Sequence, residues 1–327
     1  MVHVVVTGGA GFIGARLARE LLRSGTLGVA GGAPRPVRRL TLIDQVPVAA
    51  DLAADDRVTG TRVDLAGQPV PGLLEGADVV FHLAAAVSAE CEADFDLGIH
   101  ANLRGTEALL AACRALGTSP MVVFASSVAV FGGSATRPLP EVVDDHTPPN
   151  PQTSYGTQKA MGELLLADYA RKGFLRGRAL RLMTVAVRPG RPNRAATGFV
   201  SGIIREPLAG QRASCPVPPG TEVALASPAK AVTALLRAAT CADQAWGDRT
   251  AVTMPALTVS VGEMAAALER AAGPGVSALI DWTPDPVITA MMAGWPARVK
   301  ADRAAGLGLT PDPDFDSVIR LHLAESG

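Results

Sequence analysis

The sequence predicts an α/β fold, a doubly wound parallel sheet with a smaller mixed C-terminal domain. Three observations carry that expectation. A run of β-branched residues, Val4-Val5-Val6, passes straight into the turn Thr7-Gly8-Gly9-Ala10-Gly11-Phe12-Ile13-Gly14. Short apolar runs then alternate with segments of helical spacing as far as Val187, the pattern of βαβ units around an open parallel sheet. Beyond Val187 the chain is broken into short pieces by Pro189, Pro192, Pro207, Pro216, Pro218 and Pro219.

The glycine turn sets the register of everything after it. Gly8 allows a tight turn off the strand, Gly11 lets backbone approach a pyrophosphate, and Gly14 lets the next helix pack close to the sheet. Phe12 and Ile13 open that helix, which runs to about Ser24. Its N-terminus offers N–H groups and a positive dipole end to an anion. Three glycines mean little by themselves in a chain with 34 of them. The strand before and the helix after give the motif its weight and point to a Rossmann-type dinucleotide site.

Gly25 to Arg39, rich in Gly, Pro and Ala, reads as a surface loop. Leu40-Thr41-Leu42-Ile43-Asp44 is the second strand and ends on an acid. An acid there accepts hydrogen bonds from the ribose hydroxyls and repels a 2′-phosphate, so Asp44 argues for NAD over NADP. It stands 30 residues past Gly14, and the loop accounts for the extra length. Val58 to Val63 is a third strand and Val79 to Ala86 a fourth, apolar throughout as a strand buried on both faces should be. His82, inside it, reads as a satisfied core histidine. Phe95 to Leu116 has helical spacing through Leu103, Leu109 and Leu110.

Met121 to Ser127 is a fifth strand ending on two hydroxyls, and a Pro-rich loop from Pro138 to Pro151 follows. Ser154 opens a helix to about Lys172, and Arg178 to Val187 is a sixth strand. In the second part, helices are expected at Ala226 to Thr240, with Ser227-Pro228 as its cap, at Val261 to Ala272 and at Arg298 to Gly306. Strands are expected at Thr250 to Met254 and Leu279 to Trp282. The organisation that follows is a dinucleotide-binding domain over 1–187, to which 226–254 returns, and a substrate domain made of 188–225 and 255–327.

Tyr155 and Lys159 carry the chemistry. The chain has two tyrosines and four lysines, so a chance Tyr-x-x-x-Lys is improbable, on the order of a few per cent. At i and i+4 on a helix the two project from one face. A phenol of pKa about 10 takes no proton from an alcohol at neutral pH; a neighbouring ammonium stabilises the phenolate and lowers that pKa. Ser127, at the end of a neighbouring strand, would hold the substrate oxygen. The three make a general base, its tuner and an orienter for hydride transfer.

Bulk properties narrow the rest. With 327 residues, 48% hydrophobic and 19% charged, the chain is globular and long enough for one large or two smaller domains. A net charge of −1 gives no electrostatic case for nucleic acid or a membrane surface. Cys91, Cys113, Cys215 and Cys241 lie far apart, which suits a reduced compartment, and the five histidines have no metal spacing, so no metal is expected. No leader or spanning stretch is read, and a cytoplasmic protein is expected.

As a set, Thr7 to Gly14, Asp64-Leu65, His82-Leu-Ala-Ala85, Asn102-x-x-Gly-Thr106, Ser126-Ser127 and Tyr155-x-x-x-Lys159 resemble the extended short-chain dehydrogenase/reductase family, of the NAD-dependent epimerase/dehydratase type. The resemblance implies NAD as cofactor and the Ser127, Tyr155 and Lys159 roles given above. It places Asp64 and Leu65 near adenine and Ala84, Ala85 and Ala86 near the ribose and phosphates. Asn102 belongs to the same cofactor set. It also implies a homodimer through the helices around 99–116 and 154–171.

Thr153 to Leu165, Val187 to Asn193, Gly202 to Leu208, Trp282 to Pro286 and Gly294 to Pro296 resemble one branch of that family, the D-erythronate dehydrogenases. That branch oxidises C2 of a four-carbon sugar acid with NAD. The resemblance therefore implies a sugar-acid substrate. Arg188 and Arg191 are the candidates for its carboxylate, because a guanidinium pairs with carboxylate through two parallel bonds. Asn193 and Thr184 would serve its hydroxyls. The sequence departs from the branch at Met183, where Pro is usual, and at Arg191, where Lys is usual. Two other functions share the motif set: a nucleotide-sugar 4-epimerase and a catalytically silent NAD-binding sensor.

Overall fold

The computed structural model describes residues 1–68, 70–189 and 197–326. They form two compact units. The first comprises Met1–Ser127, Thr153–Arg181 and Val232–Val252; the second comprises Val128–Gln152, Leu182–Ala231 and Thr253–Gly327.

The first unit is built on a twisted sheet. Its early strands are β1 (Val2–Thr7), β2 (Thr26–Leu27), β3 (Arg35–Asp44), β4 (Val58–Arg62), β5 (Val79–His82) and β6 (Met121–Ser127). From one edge the order is Val252–Thr253, Arg176–Leu182, β6, β5, β1, β3, β2, with β4 also on β3. β1 lies parallel between β3 and β5, and β5 and β6, like β3 and β4, are parallel pairs. Chain order reverses between β1 and β5, so the sheet is doubly wound and its crevice opens at the C-terminal ends of those strands. Every residue of β1 is buried, as a central parallel strand requires. One face of the sheet packs Val5, Val80, Val122 and Phe124 against Leu109, Leu110, Cys113 and Leu166 from the covering helices.

Several elements differ in extent from the sequence reading. β3 starts at Arg35, because Arg35 and Pro36 pair antiparallel with β2 inside the stretch expected to be loop. β5 ends at His82; the Leu83 amide still donates to the Thr7 carbonyl of β1 at 3.1 Å, and Ala84 to Ala86 lie beyond the strand. The segment Phe95 to Leu116 is not one regular helix: Phe95–Gly98 passes into a π-helical stretch, Ile99–Arg104, before Gly105–Ala115.

The second unit has its own core, in which Ile203, Ile204, Val223, Leu225, Met264, Leu268, Val318 and Ile319 are buried. Glu222–Ala226 pairs antiparallel with Leu257–Ser260 and parallel with Thr184–Val185. The second of these pairings is why 182–187 groups here and not with the first unit. Residues 128–152 do so as well, because Val143–Asp144 pairs with Val299–Lys300, and Arg298 binds Glu141. Helices Gly198–Leu208, Pro286–Ala293 and Phe315–Ser326 were not read from the sequence.

Candidate active site

At the C-terminal ends of β1, β3 and β5 lies a groove of about 450 Å³, lined by Gly8, Gly11, Asp44, Asp64, Leu65 and Ala84 to Ala86 among others. The glycine turn forms its floor. The Gly8 and Gly9 amides donate to the Ile43 carbonyl at 2.8 and 3.2 Å, and the Gly11 amide donates to the Gly8 carbonyl at 3.1 Å. Gly8 has φ +72°, and a Cβ there would stand 2.8 Å from the Ala84 nitrogen. A Cβ on Gly14 would strike the Gly8 carbonyl oxygen. The helix Phe12–Ser24 starts on Gly11 with no side-chain cap and no acid in its first turn. Its first N–H groups therefore lack an internal partner, and half-buried Phe12 and Ile13 sit at that end.

Asp44 caps β3 and faces this turn. Its Oδ2 accepts from the Ala10 amide at 3.0 Å and its Oδ1 from the Gln45 amide at 2.7 Å. Asp64 accepts from His100 Nε2 at 2.8 Å and from the Ala66 amide at 3.1 Å. The His100 bond is the main reason its carboxyl lies below the usual range.

The loop Leu83 to Ala86 is held from behind. The Ala86 amide donates to Asn102 Oδ1 at 2.7 Å, and Asn102 Nδ2 donates to the Ala86 carbonyl and, at 2.8 Å, to Gln158 Oε1. Asn102 is thus 2% exposed and supports the loop from behind.

His82 is satisfied at both ring nitrogens, as expected of a core histidine. Thr106 gives its hydroxyl proton to the Asn102 carbonyl at 2.6 Å, so His82 Nε2, 2.9 Å away, is the donor to Thr106. Nδ1 then accepts from the Thr7 hydroxyl at 2.7 Å, and Thr7 accepts in turn from the Ala84 amide at 3.3 Å. Burial, with the Lys159 charge added, pushes His82 down to about 3. The neutral ring is a strut between β1, the groove loop and Asn102.

These features fit NAD: glycines where a Cβ would fill the turn, uncapped helical N–H groups for the pyrophosphate, and carboxylates where a ribose hydroxyl donates and a 2′-phosphate is repelled.

Ser127 ends β6, and Tyr155 and Lys159 lie in the helix Ser154–Arg171. Thr153 caps that helix through the Gly156 amide at 3.1 Å, and the Ser154 amide donates to Glu92 Oε1 at 2.6 Å. Ser127 and Tyr155 are half-buried. Lys159 is 3% exposed and its Nζ donates to the Ala125 carbonyl at 2.9 Å. The Nζ sits 4.8 Å from the Phe124 ring centre and 5.7 Å from that of Tyr155. Burial lowers its pKa to about 8, against the opposing effects of Cys91 and Glu163.

Of the substrate candidates, Thr184 is half-buried in its short strand, opposite Leu225. Arg188 is half-buried, with Nε donating to the Val185 carbonyl at 3.0 Å and its amide to Ser201 Oγ at 3.0 Å. Arg191 and Asn193 lie outside the described residues. Gln45, Glu90, Leu97 and Ala101 also line the groove and were not singled out from the sequence; Gln45 follows β3 and the other three come from the helical segments Ser88–Ala93, Phe95–Gly98 and Ile99–Arg104, brought to the groove by the fold and not by any motif. Among the described residues, no group of His, Cys, Asp and Glu could hold a metal ion, and no helix is long and apolar enough to cross a membrane.

Comparison with known proteins agrees with this geometry. The chain is 48% identical to a D-erythronate dehydrogenase of Cupriavidus necator over 99% of both chains. It is 38% identical to one of Haemophilus influenzae over 97% of both. A crystal structure described as a nucleoside-diphosphate-sugar epimerase from Agrobacterium tumefaciens superposes with a TM-score of 0.91 at 42% identity, covering 99% of this chain and 94% of that one. Residues 4–225 match the NAD dependent epimerase/dehydratase family. The chain belongs to that family, and its cofactor is NAD.

Proposed function

We propose that this NAD-dependent dehydrogenase oxidises the C2 hydroxyl of a four-carbon sugar acid, D-erythronate, to 2-oxo-erythronate. The observation that carries the chemical part is the buried Lys159 ammonium, anchored on the strand that ends at Ser127 and within 5.7 Å of the Tyr155 ring. NAD, when bound, supplies the hydride acceptor. The Tyr155 phenolate takes the hydroxyl proton as C2 becomes a carbonyl, Lys159 stabilises that phenolate, and Ser127 holds the substrate oxygen. In the cofactor groove, Gly8, Gly11, Gly14 and the N–H groups at Phe12 and Ile13 serve the pyrophosphate. Asp44 serves the adenosine ribose, Asp64 and Leu65 the adenine, and Ala84 to Ala86 the ribose and phosphates. Arg188 or Arg191 receives the carboxylate; Thr184 and Asn193 receive hydroxyls. The names of the two relatives over nearly full length support this substrate.

The name of the Agrobacterium protein favours a second reading, nucleotide-sugar 4-epimerisation with the same three residues. One assay separates the two. Purified protein is mixed with NAD and a panel of C4 to C6 sugar acids, plus UDP-glucose, and NADH absorbance is followed. NADH with D-erythronate alone is the expected result. Conversion of the sugar nucleotide with no net NADH would replace the dehydrogenase reading by the epimerase one.

The working form is proposed to be a homodimer. Met161 and Leu164, 40% and 74% exposed on the helix Ser154–Arg171, and Phe95 at 61% leave an apolar strip in water that a second copy would cover.

A further inference from the structure

One turn beyond Lys159, on the same helix, lies a buried carboxylate that the mechanism does not use. Glu163 Oε1 accepts from the Ser126 hydroxyl at 2.5 Å and from Arg181 Nε at 2.9 Å, and its Oε2 accepts from Arg181 Nη2 at 2.7 Å. Ser126, Glu163 and Arg181 are 2%, 7% and 6% exposed. Arg181 belongs to the strand Arg176–Leu182, the neighbour of β6 in the sheet. Ser126 stands between Ala125, whose carbonyl receives Lys159, and Ser127.

We propose that Glu163 is the positioning residue of the active site: through Ser126 and Arg181 it sets the register between the strand end that bears Ser127 and the helix that bears Tyr155 and Lys159. This rests on the assignment of those three residues under the proposed function. The geometry separates the parts of the clamp. The two parallel bonds to Arg181 neutralise the carboxylate and fix its plane. The third bond, to Ser126, adds nothing to charge balance. It ties the helix to the residue next to Ser127, within one turn of the Lys159 contact on Ala125. A rotation of the helix about its axis or a slide along it would lengthen both ties together. Loss of one removes a hydrogen-bonded tie between the two elements that carry the three reacting side chains.

Glu163 also faces the Lys159 ammonium and favours its charged form. The other groups facing that ammonium are Tyr155 on the same helix, Cys91 on the helix Ser88–Ala93 and His82 on β5. Removing the Glu163 charge while Arg181 stays leaves a more positive surrounding, which favours loss of protons from the Tyr155–Lys159 pair.

Three variants test this. Ser126→Ala keeps the Glu163–Arg181 pair and so keeps the fold; Glu163→Gln keeps the shape and removes the charge; Tyr155→Phe is the control on the site itself. For Ser126→Ala the expected result is a kcat lowered by roughly tenfold or more, the order that small misplacements of reacting groups produce. NAD affinity by calorimetry should stay within about twofold, and thermal unfolding should stay cooperative with a midpoint lowered by a few degrees, as for loss of one hydrogen bond to a buried carboxylate. For Glu163→Gln the ascending limb of the pH profile of kcat/KM should move to lower pH. If Glu163→Gln does not fold, Ser126→Ala decides. An unchanged kcat in Ser126→Ala, a loss matched by weaker NAD binding, or an unmoved limb in folded Glu163→Gln each overturns the proposal. Retained turnover in Tyr155→Phe overturns the assignment of the site instead.

Discussion

Burial of the Lys159 ammonium lowers its pKa from 10.5 to about 8, which corresponds to about 3 kcal/mol of strain on the charged form. Between pH 8 and 10.5 the unfolded chain binds the proton that the folded chain has lost. Stability therefore rises with pH across that window, and the full penalty is present below it. Lys159→Met should remove the penalty at the loss of the Ala125 bond, worth about 1 kcal/mol. The expected gain at pH 7 is about 2 kcal/mol by urea unfolding, and it should fade as pH 10.5 is approached. A variant less stable than the parent at pH 7 by a pH-independent amount would contradict the account. His82 works at the other end of the scale. Its folded pKa of about 3 lies below the usual 6.5, so stability falls as pH drops through that interval, and His82→Gln should flatten the acid limb of a stability profile. Asp44→Ala should relax discrimination against NADP, read as the ratio of the two dissociation constants; a parent that already prefers NADP would remove Asp44 from that role. These residues were legible because their types are rare or chemically committed. Glu92, Gln158 and Glu163 were not, since a polar residue at a helical position looks like a solvated face until the packing is known.

The glycine turn was read correctly because its constraint is backbone sterics, which sequence states directly. Gly14→Ala places a Cβ against the Gly8 carbonyl, backbone on backbone, with no side chain to yield. It should cost more than 2 kcal/mol in stability or weaken NAD binding at least tenfold, measurable by calorimetry; a wild-type titration curve would show that the turn opens easily. The helix Ser154–Arg171 was legible through its Tyr-x-x-x-Lys motif and not through periodicity, because Gln158, Lys159 and Glu163 occupy its buried face. Two of the helices missed in the second unit contain a proline. Pro207 stands in the last turn of Gly198–Leu208 and Pro286 at the first position of Pro286–Ala293. Proline is tolerated at the first of these places by local rearrangement and at the second because no N–H is needed there; reading Pro207 as a break erased the first helix, and the second, eight residues long, offered too short a pattern to read. The extension of β3 back to Arg35 was hidden for a similar reason: Pro36 sits on the outer part of the strand, where the short β2 is its partner.

At the scale of the molecule, the exposed strip at Phe95, Met161 and Leu164 bears the quaternary proposal. Leu164→Glu should halve the mass seen by light scattering, with NAD binding retained; an unchanged mass would place any association elsewhere. The doubly wound parallel sheet followed from the alternation of strands and helices; the switch point between β1 and β5 is set by the strand order, which alternation does not give. The membership of 128–152 in the second unit did not, because it depends on a pairing between Val143 and Val299 that no local pattern announces. Long-range pairs of two residues each leave almost no trace in a sequence.

The interleaving of the two units has a consequence for how the protein is made. The first unit takes its last piece from Val232–Val252, and the second waits for Val299–Lys300 to meet Val143–Asp144. A ribosome that has reached residue 190 has already synthesised the glycine turn, Ser127, Tyr155 and Lys159, yet neither unit is complete. For the next sixty or so residues, at roughly 5–20 residues per second, the nascent chain shows water an unfinished sheet edge beside Arg176–Leu182. Synthesis, in this molecule, lays down the glycine turn several seconds before the strand that closes the sheet edge.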